Sequence, residues 1–230
     1  MKHTPIYICS KDRYSFLRKL IERLEKADVT NIIIVDTGST YPPILEYYAS
    51  LKYPITYLGN VPVDAHHALW NYNVLNLHGH QNDWFVWTDP DVVPTEECPN
   101  DFMELMYDAL MRFPGKVKAG FGFKLDDIPE HYQHKYTKPG EDKWQHPGIM
   151  DWEPQFFSSP LAPHLYDAPI DTTFALYRPG VVGNSGQPAI RTGDPYLARH
   201  LAWYCNSSSP TEEELYYKAH VTKDSSSWGL

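Results

Sequence analysis

Apolar positions along this chain switch between short continuous runs and helical spacing. Ile6-Tyr7-Ile8-Cys9 is a short apolar run, and Ser10-Lys11-Asp12-Arg13 follows it as a polar turn. Phe16, Leu17, Leu20, Ile21 and Leu24 then recur at helical intervals, which predicts a helix over about 14–26. Ile32-Ile33-Ile34-Val35 is a β-branched run, the pattern of a strand covered on both faces. Asp36-Thr37-Gly38-Ser39-Thr40 ends it as a loop, and a short helix is predicted near Pro43–Leu51, with proline in its first turn. Pro54–Leu58 is a third strand candidate. Residues 65–77 are predicted as one helix, with His67, Trp70, Val74 and Leu77 on a stripe. A strand at 84–88, a helix through Phe102, Leu105, Met106, Ala109 and Leu110, and a strand at Val117–Leu125 complete this half. Strands alternating with helices imply βαβ units and a mostly parallel sheet.

From Asp126 to Pro169 the periodicity fails, and prolines, histidines and aromatics crowd together. Long irregular stretches in compact domains are usually functional. Ile170–Tyr177 is predicted as a returning strand, Pro195–Tyr204 as a helix and Glu212–His220 as a final helix.

A length of 230 residues suits one large domain, and a formal net charge of −9 argues against wholesale nucleic-acid binding through phosphates. Cys9, Cys98 and Cys205 are far apart and form no CxxC or zinc spacing, which points to unpaired thiols in a reducing compartment. The apolar stretch after Met1-Lys2-His3-Thr4-Pro5 is too short for a signal peptide or a membrane span, so the expected location is cytoplasmic.

The chemistry concentrates where strands end. Asp89-Pro90-Asp91 follows Trp84-Phe85-Val86-Trp87-Thr88, and residues i and i+2 of an extended segment share a face. Two carboxylates on a proline-stiffened turn suit a hard divalent cation that also holds a diphosphate. Asp-Pro is also an ordinary turn starter. Ser10–Arg13 and Asp36–Thr40 are two further polar clusters at predicted strand ends, where open α/β sheets bind ligands. Asp36 can accept hydrogen bonds from a base or a ribose, and Lys11 and Arg13 can face phosphates.

The segments Pro5–Arg13, Ile32–Thr40 ("VDTGST"), Trp84–Pro94, Ile170–Pro179 and Thr192-Gly193-Asp194 occur in an order that resembles the GT-A-type glycosyltransferases, closest in pattern to the family 2 nucleotide-sugar transferases. The resemblance implies an α/β fold with a Rossmann-like, mostly parallel central sheet flanked by helices. It implies one domain over 1–230, with a nucleotide-sugar half at 1–125 and an acceptor side at 126–230. It implies transfer of a sugar from a nucleotide-diphosphate donor, UDP-sugar favoured, to a hydroxyl of a glycan or glycoconjugate, with Mn or Mg as cofactor. Residue by residue, it implies donor binding by Ser10, Arg13 and Asp36, and an anchor for metal and diphosphate at Asp89 and Asp91. His220 is implied as a third metal ligand, and Asp194 or its rival Asp171 as the acceptor base of an inverting reaction. The family often has a second acid where Thr37 stands, and Glu-Asp where this chain has Gly193-Asp194. Two other readings share the layout. A sugar-phosphate nucleotidyltransferase calls for a glycine-rich loop after the first strand, and Ser10–Arg13 has no glycine. A non-catalytic nucleotide-sugar-binding module keeps the metal site but no base.

Overall fold

The opening apolar run forms β1 (Ile6–Ser10), an interior strand, third from one edge of a nine-stranded sheet. The structure is a computed structural model that describes residues 1–61, 65–141, 147–170 and 174–221. In chain order the strands are β1, β2 (Ile32–Asp36), β3 (Ile55–Tyr57), β4 (Phe85–Thr88), β5 (Val92–Pro94), β6 (Lys118–Gly120), β7 (Gly122–Phe123), β8 (Pro160–Ala162), β9 (Leu165–Asp167), β10 (Ala175–Tyr177), β11 (Ala189–Thr192) and β12 (Leu197–His200). The helices are α1 (Tyr14–Lys26), α2 (Pro42–Ser50), α3 (Ala68–Asn71), α4 (Val74–Leu77), α5 (Phe102–Arg112), α6 (Ile149–Trp152) and α7 (Glu212–His220).

The large sheet has the order β3-β2-β1-β4-β10-β6-β11-β9-β8, and a small one the order β5-β12-β7. β1, β2, β3 and β4 are parallel. β10 enters antiparallel between β4 and β6, β11 is again parallel to β6, and an antiparallel β8–β9 hairpin closes the far edge. The result is an α/β sheet flanked by helices, parallel in its first half and mixed beyond.

Strand alternation sends side chains to two cores. Ile6, Ile8, Ile32, Ile34 and Val86 pack with Leu17, Leu20, Ile44, Phe102 and Met106 of α1, α2 and α5. Tyr7, Cys9, Ile33, Val35, Phe85 and Trp87 pack on the other face with Ala68, Leu69 and Val74 of α3 and α4. Arg23 of α1 is buried and donates to the carbonyls of Thr95 (3.2 Å) and Cys98 (2.6 Å) and to Asn100 Oδ1 (3.0 Å), so α1 is pinned to the loop that follows β5.

Four expectations change. The helix at 65–77 is a 3-10 turn, α3 and α4, broken where Asn73 adopts a left-handed φ of 53°. Asparagine tolerates that region and helices do not continue through it. The strand at 117–125 divides at Phe121 into β6 and β7, which join different sheets. Glycines permit this close approach, because a Cβ on Gly120 would lie 2.4 Å from Phe174 O and one on Gly122 2.3 Å from Thr192 O. The segment Pro195–Tyr204 is not a helix. It forms β12 and a 3-10 turn at Leu201–Tyr204, because β12 fits between β5 and β7. The irregular stretch contains α6, a 3-10 turn at Glu153–Phe157 and the β8–β9 hairpin. Among the described residues no helix is long and apolar enough to cross a membrane.

Candidate functional site

Register brings the three polar clusters to one edge. Ser10 of β1 is opposite Asp36 of β2, and Ile8 is opposite Thr88 of β4, so the loops that follow these strands leave the sheet side by side.

Asp36 is only 3% exposed, and its carboxylate faces its own loop. Oδ1 accepts from the amides of Gly38 and Ser39, both at 3.1 Å. The Tyr48 hydroxyl lies 2.9 Å from both Asp36 Oδ2 and Ser10 Oγ. A carboxylate cannot donate, so the single phenol proton goes to Asp36 and Ser10 donates to Tyr48. Burial first, and then the Asp36 charge, push the Tyr48 phenol far above its ordinary value. Gly38 has a φ of 105°, and a Cβ there would lie 2.7 Å from Asn60 Cα, so the loop needs glycine at that point. Asp36 and Ser10 thus hold the β2 loop through Tyr48.

Asp12, which the sequence presents only as a turn residue, joins the two loops. Its Oδ1 accepts from the amides of Thr40 (2.6 Å) and Tyr41 (2.7 Å), and its own amide donates to Ser39 Oγ at 3.1 Å. A signal was present, because aspartate caps helix starts and tolerates the left-handed φ of 52° found here.

Arg13 precedes α1 and is 6% exposed. Its guanidinium carbon lies 3.9 Å from the Tyr217 ring centroid and 4.8 Å from that of Phe16. Its Nη1 finds no hydrogen-bond partner among the described residues. Lys11 Nζ donates to Asn60 Oδ1 at 3.2 Å.

Asp89 and Asp91 follow β4, and β5 begins directly after them. The Asp91 carbonyl accepts from the Leu201 amide at 2.7 Å, which ties the turn to the end of β12. β12 sets His200 opposite Val92, and the imidazole Nε2 lies 3.7 Å from Asp91 Oδ2. The His200 ring stacks on Trp203 at 4.8 Å and meets Phe123 edge-on at 5.6 Å. Asp91 Oδ1 and His200 Nδ1 are buried without partners among the described residues. Acidic charge gathers here. Burial raises the Cys9 thiol well above its usual range, and Asp89, Asp36 and Asp91 add to the rise. Burial likewise pushes the Tyr217 phenol up to about 12, with Arg13 pulling it down and Asp91 and Asp89 pushing it up.

His200 is thus the histidine beside Asp91; the sequence offers it only with Arg191 and Arg199, as unranked basic residues near the acceptor or the diphosphate. His220, the expected third ligand, is not drawn into a cluster with the aspartates. It is exposed on α7, its Nδ1 lies 2.8 Å from the Tyr216 carbonyl, and its ring stacks on Tyr216 at 4.0 Å. Among the described residues no three His, Cys, Asp or Glu side chains converge to hold a metal. Asp194 is exposed, its main-chain carbonyl contacts His164 Nδ1, and it lies before β12 while His200 ends that strand. Asp171, Trp144 and His146 lie outside the described residues. Glu153 is buried and ion-paired with Arg191 at 2.8 Å.

A carboxylate beside an imidazole is a donor pair that divalent cations take. A separation of 3.7 Å between Asp91 Oδ2 and His200 Nε2 is too long for a hydrogen bond. Two ligands at about 2.1 Å from one divalent ion stand about 3.0–3.4 Å apart in octahedral or tetrahedral geometry, so the pair must close by a few tenths of an ångström to share one. With two protein donors, phosphate oxygens and water would fill the remaining positions.

No protein-family model matches the chain, and no curated protein matches it. The chain is similar to the solved structure of glucosyl-3-phosphoglycerate synthase from Mycobacterium tuberculosis in complex with phosphoglyceric acid. The identity is 15%, the match covers 76% of this chain and 56% of that one, and the TM-score is 0.43. It is also similar to a putative glucose-1-phosphate thymidylyltransferase from Bacillus anthracis, at 12% identity over 76% of this chain and 71% of that one, with a TM-score of 0.42. Apo UDP-glucose pyrophosphorylase matches at 11% identity over 95% of this chain and 99% of that one, with a TM-score of 0.43. The chain spans about 56% of the length of the mycobacterial synthase. Likenesses at this level carry no argument about activity.

Proposed function

We propose that this protein is a GT-A-type glycosyltransferase that moves a sugar from a UDP-sugar to a hydroxyl of a glycan or glycoconjugate, with a divalent cation, Mn or Mg. The observation that carries the reading is the Asp91–His200 pair at the carboxyl edge of the parallel strands, each with a buried polar atom that has no partner. Asp91 and His200 hold the cation, with Asp89 next to them; His200 takes the role first expected of His220. When bound, the cation neutralises charge that develops on the leaving diphosphate. Arg13 offers its open Nη1 to a phosphate oxygen. Ser10, Asp36 and Tyr48 keep the β2 loop in the shape that receives the base, and Trp203 and Phe123 hold the His200 ring in orientation. The acceptor hydroxyl loses its proton to Asp194 or Asp171 in an inverting reaction, which needs a carboxylate within hydrogen-bond reach.

The test is a thermal-shift panel of UDP-, GDP-, CMP- and dTDP-sugars with and without Mn²⁺. The UDP-sugar with Mn²⁺ is expected to stabilise the protein by about 2.7 kcal/mol at a hundredfold excess over Kd. Asp91→Asn and His200→Ala are expected to abolish the Mn-dependent part. The reading fails if no nucleotide sugar stabilises the protein, or if Asp91→Asn leaves the shift intact. Asp194→Asn and Asp171→Asn then identify the base, as the variant that keeps donor binding and loses transfer.

A further inference from the structure

The final helix, α7, is seated on this edge by polar and aromatic contacts. Its buried residues are Glu213 and Glu214, whereas Leu215 is 55% exposed and Ala219 is exposed. A surface helix ordinarily buries an apolar stripe, and α7 buries no aliphatic side chain. Glu213 Oε2 accepts from the Ser15 amide at 2.9 Å and Oε1 from the Ser15 hydroxyl at 2.7 Å. The Tyr217 ring lies 3.9 Å from the Arg13 guanidinium carbon. The Tyr216 hydroxyl donates to Thr40 Oγ1 at 3.1 Å, and its ring lies 4.8 Å from that of Tyr41. The helix thus bridges the β1–α1 turn and the β2 loop. A capping box between Thr211 and Glu214 starts it independently of those contacts.

Glu213 sits on the first turn of α1, the positive end of a 13-residue helix, where backbone amides attract anions. Arg13, directly before that turn, is 6% exposed and has an unpartnered Nη1. A buried cation with an open donor therefore stands beside a helix start, and the anion held there is the chain's own. Glu212, Glu213 and Glu214 place three carboxylates in one turn, near the charges of Asp89 and Asp91 that reach Tyr217. A diphosphate arriving at this edge meets like charge from both sources.

We propose that α7 is an autoinhibitory latch. Docked, Glu213 occupies the anion seat at the start of α1 and Tyr217 covers Arg13; a phosphate-bearing ligand binds by displacing them. This rests on the reading of the edge as a diphosphate site. Undocking uncovers the Tyr216 and Tyr217 rings and no aliphatic side chain of α7.

The test uses the full chain, with inorganic pyrophosphate as the probe in titration calorimetry. Glu213→Gln keeps an acceptor for the Ser15 amide and removes the charge. It is expected to bind pyrophosphate about three- to tenfold more tightly than the wild type. Tyr217→Ala, which uncovers Arg13, shifts affinity the same way and decides the matter if Glu213→Gln does not fold. Amide exchange in Glu212–His220 is expected to quicken when pyrophosphate is added to the wild type. Unchanged or weaker binding in a folded Glu213→Gln, or slower exchange in α7, overturns the latch. If UDP-sugar with Mn²⁺ stabilises the wild type while Glu213→Gln binds pyrophosphate no better, the latch alone falls. If Glu213→Gln gains pyrophosphate affinity while no nucleotide sugar stabilises the wild type, the latch stands and the transferase reading falls.

Discussion

Replacing Glu153 by Gln removes one charge from a buried pair and leaves its shape almost unchanged. The side chains of Arg191 and Glu153 are 3% and 7% exposed and meet at 2.8 Å. Arg191 has further ties, because Nε donates to the Pro169 carbonyl at 2.7 Å and the guanidinium carbon lies 4.0 Å from the Phe156 ring centroid. Arginine does not discharge by losing a proton, so Glu153→Gln strands a full positive charge in the interior. Breaking a buried pair from one side costs about 3–5 kcal/mol. For a chain of this length each kcal/mol moves Tm by about 2–4 °C, so the expected fall is on the order of 10 °C. Differential scanning calorimetry reads it directly. The double variant Glu153→Leu/Arg191→Met removes both charges and is expected to recover most of the loss, since apolar replacements of buried pairs are often neutral. Arg191 also holds Pro169, which precedes Ile170 and the candidate base Asp171, so Glu153→Gln is expected to slow transfer more than it weakens donor binding. A Tm within about 1 °C of wild type for Glu153→Gln would falsify the stranded-charge reasoning.

Three further outcomes are expected. Tyr48→Phe removes the hydroxyl shared by Asp36 and Ser10 and should cost about 2 kcal/mol, the scale of a hydrogen bond to a charged group, in denaturant unfolding; a loss under about 0.5 kcal/mol would show the network to be dispensable. Burial lowers both His78, aided by His80, and His134, aided by Lys138, from an ordinary 6.5, so the folded state keeps them neutral while the unfolded chain takes up protons first. Their contribution is present above pH 6.5 and is lost as pH falls through the folded values, so the denaturation midpoint should drop between pH 7 and 5 and drop less in His78→Gln. Burial pushes the Cys98 and Cys205 thiols up to about 12 and Cys9 well above its usual range, so none should react with a thiol-specific disulfide reagent at about pH 8 until the protein is unfolded. Rapid labelling of any one of them in the native protein contradicts the burial.

The sequence by itself determined the parallel half of the fold and the location of its polar clusters. A short, β-branched run such as Ile32–Val35 favours a strand covered on both faces, and the spacing of Phe16, Leu17, Leu20, Ile21 and Leu24 favours one helical face. Sheet register then carries Ser10, Asp36 and Asp89 to one edge, because parallel strands end together. Tertiary structure alone decided what each polar residue faces. Leu197–His200 resembles helix locally, and only the groove between β5 and β7 makes it a strand that delivers His200 to Asp91. Asp36 is legible as an acid at a strand end whose bonds to the Gly38 and Ser39 amides form a local turn, but its partner Tyr48 follows from how α2 packs. His220 stands near the chain's end as a ligand might, yet α7 turns it onto Tyr216. Hydrophobic periodicity is local and survives in the sequence, whereas the contacts of Asp91 with His200 and of Asp12 with the β2 loop join residues distant along the chain, and only packing supplies those.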